Sequence, residues 1–344
     1  FLLFLAVAVL PPTFLPVAQA SSTPWLQLPT ENRAIFEGNP QKFYMYVDRT
    51  FEGEQSKPWE GGQYGMTRTP QRQGKEIIYT RFHEGVDIRP VRRDGSGEPL
   101  DPILAAADGT VVHASNNAGA SNYGRYLVIE HMLGGSPYYS LYAHLASISA
   151  RPGDKVAKGQ VVGRMGYTGR GINKERAHLH FEFCMMLNRN FPAWFAHYIP
   201  NTPDLHGAFN GMNLQGMDPI GLLKAVRARP ATTVPEFLET QRPLFTITVN
   251  DSPNFDLIRL YPWLVPRGEP ATAPAWEVTF SDSFVPLRVM PRSERVAAPV
   301  VRWLGDGKVA LSHQSRGLVT GSPTAPRLTD SGSRFAHLIT FPDF

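Results

Sequence analysis

Cysteine is almost missing from this 344-residue chain. Cys184 is the single thiol, so no intrachain disulfide can form, and the fold must rest on its core, on a metal, or on both. Charge is also sparse, at 19% of residues, with no dense Lys/Arg run and no recognisable RNA- or DNA-binding motif. The formal net charge of +4 mildly favours anionic surroundings and is too small to argue for nucleic acid. Beyond the N-terminus no stretch is long and apolar enough to span a bilayer, so no stable membrane insertion is expected. The series Gly163, Gly166, Gly169 and Gly171 lacks a GK[ST] ending and does not lie between a strand and a good helix pattern, which excludes a phosphate loop.

No charged residue precedes Glu31. Phe1 to Leu10 is continuously apolar, Pro11-Pro12 breaks the run, and Ala18-Gln19-Ala20 has the small-x-small form of a cleavage site. Residues 1–20 are therefore read as a secretory signal peptide truncated at its start, cut after Ala20. Three prolines and a short apolar run argue against a retained membrane anchor. No lipidation cysteine follows. The expected location is outside the cytoplasm: periplasm, cell envelope or extracellular space.

What the chain has in quantity is glycine and proline, 30 and 31 residues, within a composition that is 42% hydrophobic. That combination predicts a globular, mainly β protein of short strands and turns, with little room for long helices. Residues 21–63 read as an N-terminal lead-in in which Lys42–Val47 is the expected strand. Residues 64–190 form a β-rich core region, 191–230 an extension with a short helix, and 231–344 a second, smaller β-rich C-terminal domain without a chemical motif. The helix is predicted over Ile220–Ala228, with Asp218 as N-cap and Pro219 at the first position.

The organising stretch is Ala177-His178-Leu179-His180-Phe181-Glu182-Phe183. As a half-buried strand it projects His178, His180 and Glu182 to one face and Leu179, Phe181 and Phe183 to the other. Such a pair of imidazoles serves as metal ligands or as a general base; it is equally compatible with two unrelated surface histidines on an edge strand. His83-Glu84-Gly85-Val86-Asp87 has the same ambiguity between a surface turn and a metal-ligand pair. Fully extended, His83 and Asp87 lie about 13 Å apart, so sharing an ion requires a bend at Gly85. In Tyr138–Leu145, alternation groups Ser140, Tyr142 and His144 on the polar face. Taken together, two histidines and one carboxylate suit a catalytic zinc that keeps a position for water, with remaining histidines as base and oxyanion partner.

This constellation resembles the M23 family of zinc metallopeptidases, the lysostaphin- and LytM-type peptidoglycan endopeptidases. The resemblance runs from about Tyr64 to Phe183 through six blocks in order: His83–Ile88, Ala107–Val112, Leu141–Leu145, Val156–Gly163, Gly166–Gly169 and His178–Glu182. It implies an antiparallel β fold of the duplicated hybrid motif type, whose sheet floors a substrate groove. It implies that His83, Asp87 and His180 bind one catalytic Zn2+, and that His144 and His178 are the catalytic pair. The implied activity is hydrolysis of amide bonds in peptidoglycan peptides by a metal-activated water. A non-catalytic wall-binding or amidase-activating module on the same fold, and an exported metallopeptidase acting on proteins, are the alternatives. The departures from the pattern are a longer charged insertion between Asp87 and Asp108, and Ile172–Arg176 in place of a shorter Gly/Pro link; the resemblance does not reach Ala231–Phe344. Glu182 shares the face of the two histidines and is a candidate for supporting the ligands, with packing or a rim position equally open; Tyr142 is a candidate for the groove wall, and Cys184 for a buried small hydrophobe. His113, His131, His197, His206, His313 and His337 are read as structural or exposed.

Overall fold

The computed structural model describes residues 23–54 and 56–342; the segment read as a signal peptide lies outside the described residues. The first long element is a hairpin of β1 (Gly65–Gln73) and β2 (Glu76–His83), which turns at Gly74 with φ 61°. There follow β3 (Val86–Ile88), β4 (Pro102–Leu104), β5 (Gly109–Ser115), β6 (Tyr126–Leu133), β7 (Ser136–Ala143), β8 (Ser147–Ile148), β9 (Lys155–Val156), β10 (Val161–Arg164), β11 (Leu179–Met186) and β12 (Leu214–Met217). The main sheet is antiparallel, with seven strands in the order β12-β11-β7-β6-β5-β9 and β3 paired onto β11. A three-stranded sheet, β4-β10-β8, stands beside it. The mainly β, antiparallel architecture expected from composition and motif order is therefore present.

β11 is the pivot. Its first half pairs with β3, placing His180 opposite Asp87, and its second half pairs with β12. Along its other edge it pairs with β7, His180 facing Ala143 and Phe181 facing Tyr142. Every residue of β7 and β11 is buried. The expected half-buried strand is thus covered on both faces. Trp25 of the lead-in packs on Phe183 at 6.0 Å between ring centroids, and on the histidine face Tyr123 lies 6.0 Å from the His180 ring. With both faces covered, polar side chains must find partners inside the protein.

The C-terminal unit holds a second antiparallel sheet, β15-β14-β13-β16, built from β13 (Pro243–Asn250), β14 (Ala275–Ser281), β15 (Pro286–Arg292) and β16 (Val300–Trp303). A hairpin of β17 (Val319–Ser322) and β18 (Ala325–Leu328) leads into a helix, Asp330–Thr340. That helix presents Phe335 to Phe280 and Phe284, at 5.4 and 5.5 Å. The two units share one continuous set of buried apolar side chains.

The predicted helix after Asp218 is present as Pro219–Ala228, and the Asp218 carboxylate accepts from the Ile220 and Gly221 amides. Lys42–Val47 is not a strand. Pro40 starts one helical turn, Pro40–Phe43, and only Tyr44 forms a bridge, to Ile88. A proline at the first helical position favours the turn over extension, and the neighbouring edge of β3 offers too short a ladder to compete.

Candidate metal centre

His83 ends β2, Asp87 lies in β3, and His180 lies in β11. The His83–Asp87 bend exists, and it passes directly over β11. A β-carbon on Gly85 would stand 2.4 Å from the Phe181 carbonyl oxygen and 2.8 Å from Glu182 Cγ. Glycine is needed there for close approach; its φ lies outside the left-handed region, which is not why the sequence marks this position.

The three side chains converge. His83 Nε2 is 3.2 Å from Asp87 Oδ1 and 3.1 Å from His180 Nδ1, and His180 Nδ1 is 3.0 Å from Asp87 Oδ1. All three residues are buried. Partners assign the tautomers. His83 Nδ1 lies 2.8 Å from the Gln63 carbonyl, which can only accept, so Nδ1 carries the hydrogen and the Nε2 lone pair turns inward. His180 Nε2 donates to Glu182 Oε1 at 2.8 Å, turning its Nδ1 lone pair inward. Two imidazole lone pairs and a carboxylate oxygen crowded in this way repel one another unless a cation sits between them. The edges of a tetrahedron with Zn–N bonds of ~2.0–2.1 Å measure about 3.3–3.4 Å, so the spacing fits. This is a buried His-Asp-His group able to bind a metal.

Two further histidines join the group. His178 Nδ1 donates to the Arg176 carbonyl at 2.6 Å, and its Nε2 stands 3.4 Å from Asp87 Oδ1. His144 Nδ1 donates to the Thr168 carbonyl at 2.9 Å; its ring is 4.8 Å from that of His178 and 5.8 Å from that of His180. Strand alternation does not bring His144 here. Residues directly opposite across strands share a face, so Tyr142 belongs with Phe181, on the side away from His180. His144 crosses over because its backbone takes φ 63° just past the end of β7. Tyr142 is accordingly no groove residue: it is buried, and its hydroxyl accepts from the Ala106 amide and from Ser140.

Burial pushes His144 well below its ordinary value, and the neighbouring His178 and His180 add to the effect, so it stays neutral. Burial also lowers His83, against the pull of Asp87. For Asp87, burial raises the carboxyl, but His83, His178 and Arg68 outweigh it and hold it well below the usual range. Burial lowers His180, yet hydrogen bonds to Asp87 and Glu182 overcome that and raise it to about 10. Its Nδ1 position therefore strongly favours a positive partner, whether proton or metal ion. Glu182, despite burial, is kept ionised by His180.

Three contributors were not singled out from sequence. Tyr123 donates to Glu182 Oε1 at 3.0 Å, closing a chain from Tyr123 through Glu182 to His180. Arg68 in β1 donates to Asp87 Oδ2 at 2.5 Å and lies 3.1 Å from His83 Nε2. Arg316 of the C-terminal unit pairs with Glu84 at 2.9 Å. Only Arg68 stood near a legible signal, the start of the motif resemblance at about Tyr64. Cys184 is buried, with its thiol 3.3 Å from Glu182 and pushed to high pKa by burial and that carboxylate. His131 is structural, held between the Asp108 carbonyl and Ser140 Oγ. His206 and His313 line the groove.

The centre opens into a groove with a cavity volume of about 1410 Å³. Its far wall comes from the C-terminal unit, including Phe284, His313 and Arg334. Among the described residues, six arginines line the groove against four acids, and two of those acids, Asp87 and Glu84, are already paired with Arg68 and Arg316. The two segments that depart from the motif pattern meet each other nearby: Arg93 donates to the Lys174 and Glu175 carbonyls at 2.8 and 3.1 Å.

Residues 81–190 match the family described as Peptidase family M23. The peptidoglycan DD-endopeptidase ShyA of Vibrio cholerae is 40% identical over 84 residues, covering 24% of this chain and 17% of that protein. The murein hydrolase activator NlpD of Escherichia coli is 34% identical over 100 residues, covering 29% of this chain and 22% of that protein. The matched segment thus spans less than a third of the length of either relative. Among solved structures, the catalytic domain of lysostaphin from Staphylococcus simulans is 25% identical, covering 47% of this chain and 89% of that one, with a TM-score of 0.28.

Proposed function

Because the chain carries a domain of peptidase family M23 across residues 81–190, we propose that it is an exported zinc metalloendopeptidase that hydrolyses amide bonds of peptidoglycan peptides. The observation that carries this reading is the inward convergence of His83 Nε2, Asp87 Oδ1 and His180 Nδ1 within 3.2 Å of one another. The arginine excess in the groove supports an acidic peptide as substrate. Export rests on the reading of residues 1–20, with periplasm, envelope or extracellular space as the destination.

His83, Asp87 and His180 would hold Zn2+, which supplies Lewis acidity toward the scissile carbonyl and acidifies water. The rest of the work belongs to side chains of the chain. His144 and His178 each have Nδ1–H committed to a backbone carbonyl, so each offers Nε2 to the groove. A neutral Nε2 accepts the proton of the attacking water. The same atom, once protonated, donates to the oxyanion that develops on the carbonyl, and finally delivers the proton to the departing amine. Glu182 and Tyr123 hold the His180 ring in the tautomer that leaves Nδ1 free for a metal.

Incubation of the purified chain with isolated sacculi tests the proposal. The expected result is chelator-sensitive release of peptides, with zinc at one equivalent, lost in His180→Ala. Release that persists in both His180→Ala and His144→Ala overturns the assignment. A second reading, a non-catalytic activator, is favoured by Arg68, whose guanidinium already neutralises Asp87. A chain that binds sacculi but neither takes up zinc nor releases peptides would establish that reading instead.

A further inference from the structure

The turn that carries His83 is gripped from outside its own sheet. Arg316 follows the short helix Leu311–Gln314 in the C-terminal unit. Its Nη1 donates to Glu84 Oε1 at 2.9 Å and its Nη2 donates to the Ser283 carbonyl at 2.9 Å. Its guanidinium carbon stands 4.7 Å from the centroid of Phe82 and 3.6 Å from that of Phe284. Phe82 and Glu84 are the two chain neighbours of His83. One side chain therefore holds both flanks of a proposed metal ligand and ties them to a backbone carbonyl of the other unit.

The presentation of Arg316 is itself built. Its backbone takes φ 50°, in the left-handed region that side-chain-bearing residues adopt only when their surroundings impose it. Those surroundings are visible on both sides. The buried Ser315 hydroxyl donates to the Leu311 carbonyl at 2.6 Å and accepts from the Val319 amide at 2.9 Å. The Thr329 hydroxyl donates to the Gly317 carbonyl at 2.6 Å. A planar guanidinium can contact aromatic faces while its fork serves an acid and a carbonyl at once; an ammonium cannot do both. His83 has its own tether, Nδ1–H to the Gln63 carbonyl, which sets the rotation of the ring. The position of the backbone beneath the ring is set by what holds Phe82 and Glu84.

We propose that Arg316 is a positioning residue of the metal centre: it fixes the Phe82-His83-Glu84 turn, so that the C-terminal unit is part of the scaffold that sets the affinity for the metal. This rests on the reading of His83 as a ligand. The C-terminal unit is then neither a tethered accessory nor a cover laid over a finished site.

The test is competition of the purified, metal-stripped full chain with a chromophoric chelator for zinc. Wild type is expected to take up one equivalent. Arg316→Met and Glu84→Ala are each expected to weaken zinc about tenfold, the effect typical of losing support around a ligand. The double variant is expected to be no weaker than either single one, and Arg316→Lys to recover part of the loss. The Glu84 side chain is 41% exposed, so Glu84→Ala is expected to leave the melting temperature of the metal-free chain within about 2 °C. It carries the test if Arg316→Met does not fold. Variants that melt lower yet bind zinc within twofold of wild type overturn the inference and leave the metal reading standing. A wild-type chain that takes up no zinc overturns both.

Discussion

At φ 63° the backbone of His144 sits in the left-handed region, about 1–2 kcal/mol less favourable for a residue with a β-carbon. Its amide donates to the Tyr123 carbonyl at 2.8 Å and its ring to the Thr168 carbonyl, so the surrounding structure imposes the conformation. Asparagine tolerates this region, and His144→Asn is therefore expected to keep the fold and the zinc while hydrolysis falls ~10²–10⁴-fold. Loss of zinc from that variant, read by metal analysis, would contradict the proposed division of labour between His144 and the three ligands. Glu182 acts one step further out. Glu182→Gln is expected to weaken zinc ~10–100-fold in a competition titration, because the carboxylate that orders His180 is gone. The residue types and chain positions of all five central side chains were legible in the sequence. The Tyr123–Glu182 link was not, since nothing in a sequence places residue 123 above residue 182.

Elements meet here at glycines. The turn leading into β3 crosses over β11 at Gly85, and β12 approaches Glu84 at Gly216, where a β-carbon would lie 2.2 Å from the Glu84 carbonyl oxygen. β11 is paired along both edges and has no freedom to give way. Gly85→Ala is expected to cost roughly 1–3 kcal/mol and to lower the melting temperature by several degrees. Gly95→Ala, where a β-carbon meets nothing within 4 Å, is the matched control and should be close to neutral. Equal melting temperatures for the two would show that the crossing is looser than described. Alternating patterns located β7 and β11 because period-2 apolarity survives tertiary context. The same alternation misassigned Tyr142 and gave the wrong route for His144, because it assumes a regular backbone to the last residue. The helix Asp330–Thr340 went unseen among Pro-rich β segments. Its apolar residues Phe335, Ala336, Leu338 and Ile339 follow helical spacing, but only within its final half.

The two units are joined by direct hydrogen bonds as well as by a shared buried core. The Met186 amide donates to the Tyr261 hydroxyl at 2.8 Å, Asn188 Nδ2 donates to the Leu338 carbonyl at 2.7 Å, and the Arg189 amide donates to Asp256 Oδ2 at 2.7 Å. Removing residues 231–344 uncovers the end of β11 and part of the shared core. The truncated chain is expected to be insoluble or to lose protection from hydrogen exchange throughout β11; a soluble, fully protected fragment would refute this. Stability should also depend on acid. Burial lowers His131 to about 4 although the Asp108 carbonyl opposes the shift. Its contribution is complete above the unfolded value near 6.5 and is lost as pH falls toward 4, on the order of 3 kcal/mol. In thermal melts across pH 7 to 4, His131→Asn is expected to show a shallower decline than wild type.

The sequence by itself determined which side chains could make a metal centre, their order along the chain and the antiparallel β character around them, because donor chemistry and strand period are local properties. Tertiary structure alone decided how they meet. The close passage at Gly85, the left-handed turn at His144, the Tyr123 and Arg68 contacts and the reach of Arg316 from the C-terminal unit to the turn around His83 all join residues far apart in the chain. Such contacts are selected by what fits in a packed interior, and that selection leaves no periodic trace in the amino-acid order.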